Sequence, residues 1–222
     1  MLHSSGLDII INDNSFLLLA EKAVFWKEAQ MLIVADVHLG KATHFRKNGI
    51  SLPALSGTKD LVVLRQLIKN YGPKKIVFLG DLFHSNYNSE WQTFIEFRNE
   101  FLNVDFILSK GNHDILPMHR YVKNNITVVN YLQEECFIFL HDRLDYNIDN
   151  LSQHFIFSGH IHPGYKLKGH AKQSLTLPCF YKNETELVLP AFGELTGLFI
   201  IKPKKNEQVF VVGNENVFRI DF

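Results

Sequence analysis

Gly111-Asn112-His113-Asp114, which follows the apolar run Val104-Asp105-Phe106-Ile107-Leu108, is the stretch whose reading decides the fold. Four small or polar residues after a strand-like run usually mark only a turn. Here the arrangement recurs. Asp36-Val37-His38 ends Met31–Ala35, Gly80-Asp81 ends the run 76–79, His141 follows 136–140, and Gly159-His160-Ile161-His162 follows Phe155–Ser158. Metal-ligating residue types at five strand ends point to one site built from loops along one sheet edge.

Between these strand ends the chain reads as crossovers. Residues 54–70 carry Leu61, Leu64, Leu67 and Ile68 at helical spacing, and Gly72-Pro73 stops them. Ser89 opens a helix to about Phe101, with Trp91, Phe94, Ile95, Phe101 and Leu102 on one face. Strand, helix, strand, helix, strand predicts a mostly parallel sheet. The first thirty residues read as further strands with a turn at Asp13-Asn14. Beyond residue 126 come short strand candidates (126–129, 136–140, 155–158, 187–189, 198–201, 209–212, 217–220), with 203–208 as a hairpin loop. A second, more antiparallel sheet packed on the first is expected. No repeat or linker interrupts the chain, so one domain over 1–222 is expected.

Composition fits this reading. Hydrophobic residues make up 46% of the 222, with 19 Phe, enough for a large core. Lys plus Arg equals Asp plus Glu at 23 each, which argues against a general nucleic-acid coat but leaves room for a local basic patch. Two cysteines, Cys136 and Cys179, make a disulfide framework improbable on chemical grounds and fit a cytoplasmic setting. No apolar run approaches the roughly 20 residues a membrane helix needs. Asp8, Asn12 and Asp13 break up an N-terminus without Lys or Arg before Lys22, unlike a signal peptide. No membrane partner is expected.

Two divalent ions held side by side need several hard donors, open positions for substrate and a shared carboxylate. Asp36 and His38, at i and i+2, can turn into one cleft. Asp81, after a glycine, suits the shared position. Asn112 adds a neutral oxygen, and His141, His160 and His162 add imidazoles. Seven such donors suffice for two ions with bound water. Mixed carboxylate, amide and imidazole donors without cysteine suit manganese first, then iron or zinc. A lone Asp-x-His or Gly-Asp arises often by chance; the ordered set does not.

The ordered set resembles the calcineurin-like metallophosphoesterase superfamily over about residues 31–165. The resemblance implies an α/β (α+β) fold, a four-layer αββα sandwich of two mixed sheets flanked by helices. It implies that Asp36, His38 and His162 hold one ion, that Asn112, His141 and His160 hold the other, and that Asp81 is shared. His113 then carries no metal and suits the general acid that protonates the leaving oxygen, with Asp114 orienting its ring and a hydroxide between the ions attacking phosphorus.

More specific stretches are similar to the ligase-associated DNA damage response phosphoesterase/endonuclease (PdeM) subfamily. They are Ala-Asp-Val-His-Leu-Gly-Lys-Ala at 35–42, Phe45-Arg46, Gly-Ile-Ser-Leu-Pro at 49–53, Gly-Asp-Leu-Phe-His-Ser at 80–85 and Leu-Pro-Ala-Phe-Gly at 189–193. Residues 194–198 match that pattern only in part. The resemblance implies a phosphodiesterase or nuclease acting on DNA or a nucleotide in DNA repair, beside DNA ligase and helicase proteins. Alternatives are a phosphoesterase for a nucleotide sugar or other small ester, and a silent retromer-type scaffold. The basic loop with Lys41, His44 and Arg46 either meets substrate phosphates or is solvated surface, and His84 stands at the cleft rim.

Overall fold

The structure, a computed structural model, describes residues 6–41, 49, 59–84, 89–145, 153–169 and 173–221. A seven-stranded sheet runs in chain order: β1 (Leu7–Ile11), β2 (Asn14–Leu18), β3 (Val24–Trp26), β4 (Met31–Ala35), β5 (Lys75–Leu79), β6 (Asp105–Ser109) and β7 (Ile126–Val129). Pairing is antiparallel from β1 to β4 and parallel from β4 to β7. The switch follows the connections. Tight turns join the first strands, while helices α1 (Lys59–Tyr71), α2 (Ser89–Asn99) and α3 (Met118–Lys123) lie between the later ones. The first turn is Asn12-Asp13, one residue earlier than expected. Both residues have positive φ, and Ile11 pairs with Asn14, the geometry of a two-residue hairpin.

The second sheet has nine strands: β8 (Leu132–Glu134), β9 (Phe137–Phe139), β10 (Phe155–Ser158), β11 (Pro163–Lys168), β12 (Ser174–Lys182), β13 (Glu186–Val188), β14 (Phe199–Ile200), β15 (Gln208–Gly213) and β16 (Asn216–Ile220). It is mixed. β10 lies parallel to β9 and β13, and β12 is antiparallel to β11, β13 and β15. Two expectations change here. Residues 203–208 do not close a hairpin, because β14 pairs with β11 whereas β15 pairs with β12 and β16. The strands β11 and β12 had no apolar run to announce them; Gly164, Pro178 and alternating Lys, Ser and Thr hide a nine-residue strand and its partner.

Side-chain alternation sorts the strands into two cores. Val24, Trp26, Met31, Ile33, Ala35, Val77 and Leu79 face inward and meet Phe137, Phe139, Phe155, Phe157, Phe180 and Phe210 of the second sheet. Their neighbours Phe25, Leu32, Val34, Ile76, Phe78 and Phe106 face outward and pack against α1 and α2. The expected apolar stripe of α1 is buried at Leu61, Leu64, Leu67 and Ile68. The α2 stripe uses Phe97 rather than Leu102, which lies past the helix end and is 68% exposed. Two mixed sheets face to face, with helices on the outside of the first, make the α/β sandwich that the sequence implied. No helix among the described residues is long and apolar enough to cross a membrane.

Phe157 anchors the inter-sheet core, its ring 4.9 Å from Phe16 and 5.1 Å from Phe139 between centroids. Phe157→Ala is expected to lower unfolding free energy by about 3–5 kcal/mol, because a rigid two-sheet sandwich cannot close the cavity. Urea denaturation checks this; a loss below about 1 kcal/mol would show that the sheets slide together instead.

Candidate metal centre

All five motif-bearing strand ends reach one edge of the sandwich. Asp36 and His38 follow β4, Asp81 follows β5, and the 111–114 turn follows β6. From the second sheet, His141 follows β9, and His160 and His162 follow β10. Backbone hydrogen bonds prolong the β4–β5 pairing past the strands: His38 N–H donates to Asp81 O (2.9 Å), Leu39 N–H to Leu82 O (2.9 Å) and His84 N–H to Leu39 O (2.9 Å). Asp36, His38, Asp81, His160 and His162 all have positive φ, between 48° and 68°. Each such residue costs of order 1 kcal/mol or more and persists only where surroundings impose it, a mark of functional loops.

The carboxylates are shared between backbone and ring nitrogens. Asp36 Oδ2 accepts the His160 N–H at 2.9 Å, while its buried Oδ1 has no hydrogen-bond partner and lies 3.3 Å from His162 Nε2. Asp81 Oδ1 accepts the His113 N–H at 2.9 Å and stands 3.6 Å from His141 Nε2; its Oδ2 stands 3.8 Å from His38 Nε2. Neither ring nitrogen of buried His38 has a partner. Burial pushes the His38 imidazole down to about 2, with positive charge on Lys41 and neighbouring His162, His84 and His113 adding to the effect. It is a neutral ring with one nitrogen lone pair to offer.

His141 defines the other half. Its Nδ1–H donates to Leu79 O at 2.9 Å, which leaves Nε2 as the ring nitrogen facing the cleft. That nitrogen lies 3.0 Å from Asn112 Oδ1 and 3.1 Å from His160 Nδ1. Lone-pair atoms turned toward one another repel unless a cation sits among them. Donor atoms of Asp36, His38 and His162 fall within 4.8 Å of one another, and so do those of Asp36, Asp81 and His141. In the second group the His141 nitrogen near Asp36 (3.8 Å) is Nδ1, already bound to Leu79 O. The useful facing pair there is therefore Nε2 with Asp81. Unpaired buried Asp36 Oδ1 and His38 nitrogens, with no cysteine near, fit divalent cations with oxygen and nitrogen preferences.

Asp114 does something other than expected. Its carboxylate accepts N–H groups from Asp81 (2.8 Å), Leu82 (3.0 Å), Phe83 (3.4 Å) and Gly111 (2.9 Å). Both oxygens are thus engaged by backbone, tying the β5 and β6 loops together, and they do not steer the His113 ring. Burial pushes this carboxyl up to about 7 and the Asp81 charge adds to that, against the pull of the Gly111 and Phe83 amides. The His113 ring instead stacks on His84, with centroids 5.3 Å apart, and stands edge-on to His38 at 5.5 Å.

Sequence reasoning missed two supports. Asp142 Oδ2 lies 3.5 Å from His160 Nε2, on the far side of the ring from His141. Phe192 N–H and Gly193 N–H donate to Ala35 O (2.8 Å) and Asp36 O (3.2 Å), so the 189–193 stretch buttresses the first ligand loop. A Cβ on Gly193 would strike the Val37 carbonyl. Neither contact follows any local sequence signal except the glycine. Among the rim residues, Lys41 is near enough to Asp36 and Asp81 to feel their charge, while burial lowers its pKa. His84 lines the cleft; His44 and Arg46 lie outside the described residues.

The calcineurin-like phosphoesterase family model matches residues 29–214. The chain therefore belongs to the calcineurin-like phosphoesterase family. No curated protein sequence matches it. Among solved structures it is similar to the nuclease MPE of Pseudomonas putida, with a TM-score of 0.81 and 28% identity over 97% of this chain and 100% of that one. It also aligns with Yfce, a phosphoesterase from E. coli, at a TM-score of 0.41 and 15% identity over 83% and 88% of the two chains.

Asp114→Ala leaves four buried N–H groups without acceptors and is expected to cost at least about 3 kcal/mol in chelator-treated protein. Urea unfolding measures it. Unchanged stability alongside lost activity would return Asp114 to the ring-steering role.

Proposed function

We propose that this protein is a metal-dependent phosphodiesterase or nuclease that holds two divalent ions, manganese by preference. Asp36, His38 and His162 hold one ion, Asn112, His141 and His160 the other, and Asp81 both. The observation that carries this reading is Asp81 itself, whose two oxygens face a different imidazole each, His141 and His38. When bound, such ions neutralise phosphate charge and lower the pKa of water toward neutrality.

The chain's own residues supply the rest. Burial keeps His38 neutral, and Leu79 O takes the Nδ1–H of His141, which leaves Nε2 as the nitrogen facing the cleft. His113 protonates the leaving oxygen. Its backbone is fixed by Asp81 Oδ1 and its ring by the faces of His84 and His38, which limits its swing. Lys41 and His84 meet the non-bridging phosphate oxygens. Diester chemistry is favoured over monoester by the 0.81 structural likeness to a protein described as a nuclease. A DNA-repair setting in the cytoplasm, beside ligase and helicase proteins, rests on the subfamily stretches at 35–53, 80–85 and 189–193. A silent scaffold is disfavoured because buried, unpaired Asp36 Oδ1 and His38 nitrogens would only destabilise a protein that never bound a cation.

His113→Ala is expected to lower turnover of bis-p-nitrophenyl phosphate in Mn²⁺ by roughly 10²–10⁴-fold while metal content, read by elemental analysis, stays at the wild-type value. Loss of metal in this variant would make His113 a ligand and remove the general acid.

A further inference from the structure

Strand β11 leaves the metal centre directly, since Pro163 follows His162, and it presents a row of lysines on one face. Lys166 and Lys168 are exposed at alternate positions, while Tyr165, just before them, packs against Cys179, Ile201 and Val211 on the opposite face. Across the antiparallel ladder, Lys166 pairs with Thr176 and Lys168 with Ser174, so two hydroxyls share the lysine face. Lys202 lies two residues past Ile200, the last residue of the edge strand β14, with buried Ile201 between them. Among the described residues none of the three lysines forms an ion pair, in contrast to Lys27 with Asp8, Lys59 with Glu194 and Lys75 with Glu134. In a chain of formal charge zero, this is local segregation of positive charge.

The face matters as much as the charge. Along β12, Ser174, Thr176, Pro178 and Phe180 lie on one side, and Phe180 is packed in the core between the sheets. The lysine row is therefore the inner face of the second sheet, continued beyond the last contact with the first. The metal centre is also built between the two sheets, with Asp36 and Asp81 from one and His141 and His160 from the other. Row and centre thus open to the same side. Lys166 and Lys168 stand four and six residues from His162, about 13 and 20 Å along an extended strand. The two-residue step of about 6.7 Å is of the order of the separation between successive phosphates of a nucleic-acid strand.

We infer that the lysine face of β11, with Thr176, Ser174 and Lys202, is a track for the phosphodiester backbone of a single nucleic-acid strand, leading it into the metal centre. This rests on the diesterase reading above. Point-charge ammonium groups and hydroxyls without aromatic rings on the face suit phosphates rather than bases, so the track is indifferent to sequence. It binds several nucleotides from the scissile bond and gives the enzyme a preference for polymers over mononucleotides.

The test is the triple variant Lys166→Ala/Lys168→Ala/Lys202→Ala, bound to a fluorescent 20-nucleotide oligothymidylate in chelator at several salt concentrations. Elemental analysis and melting temperature establish that it is folded and loads metal. The slope of log affinity against log salt is expected to flatten by about 2, and affinity at 50 mM salt to fall on the order of a hundredfold, since each lost phosphate contact contributes about 0.7 to a single-strand slope. Wild-type affinity is expected to rise with oligonucleotide length from four to twelve residues, and the variant's to rise far less. Unchanged slope and length dependence would overturn the track. So would wild-type protein that binds vesicles of anionic lipid but no oligonucleotide. Failure of the diesterase reading shows separately, as wild-type protein with bound Mn²⁺ that does not hydrolyse bis-p-nitrophenyl phosphate.

Discussion

Two buried carboxylates, each divided between a backbone amide and a set of imidazoles, are the constraint on which this molecule is arranged. Asp36 gives one oxygen to the His160 N–H, which ties the second sheet's ligand loop to the first. Asp81 gives one to the His113 N–H, which ties β5 to β6. The first bond is possible only where the two sheets meet with their strand ends level, and the second only where β5 and β6 end level within one sheet. Burial of negative charge is costly unless it is compensated, and here the amides compensate only half of it. The remaining oxygens look at His38, His141 and His162. The site is thus stable as a fold and incomplete as an electrostatic system, the condition expected of a cation-binding centre.

Backbone strain follows from the same arrangement. Reaching inward from strand ends spread over two sheets forces Asp36, His38, Asp81, His160 and His162 into left-handed conformations. What holds them there is a scaffold of buried bonds: the Asp114 carboxylate across the β5 and β6 loops, and the 192–193 amides against β4. Gly159 belongs to this scaffold, because a Cβ there would stand 2.5 Å from Asp36 Oδ2. Strain at the donors is offset by bonds to their own backbone and that of their neighbours.

Much of this was legible in the sequence because strand ends advertise themselves. Continuous apolar runs such as Met31–Ala35 locate buried strands, and the polar residue that ends each run is placed by chain geometry at the common edge. The two-sheet sandwich and the convergence of Asp36, Asp81, Asn112, His141 and the 160–162 pair could be foreseen on that basis. The partner of Asp114 could not. Its sequence neighbour His113 looked like its ring, yet in a tight turn adjacent side chains diverge, and three of its four donors were amides 31 to 33 residues away. Asp142 behind His160 escaped for the same reason. The β11–β12 ladder escaped because a strand half exposed to water, broken by Gly164 and Pro178, carries no apolar signal.

Asp81 is proposed to join two cation sites. Calorimetric titration of chelator-treated protein with Mn²⁺, beside the Asp81→Asn variant, tests it most directly. Two equivalents bound by the wild-type chain, with both weakened together in Asp81→Asn, is the predicted result. A single equivalent in the wild type, or two equivalents of undiminished affinity in the variant, would contradict it.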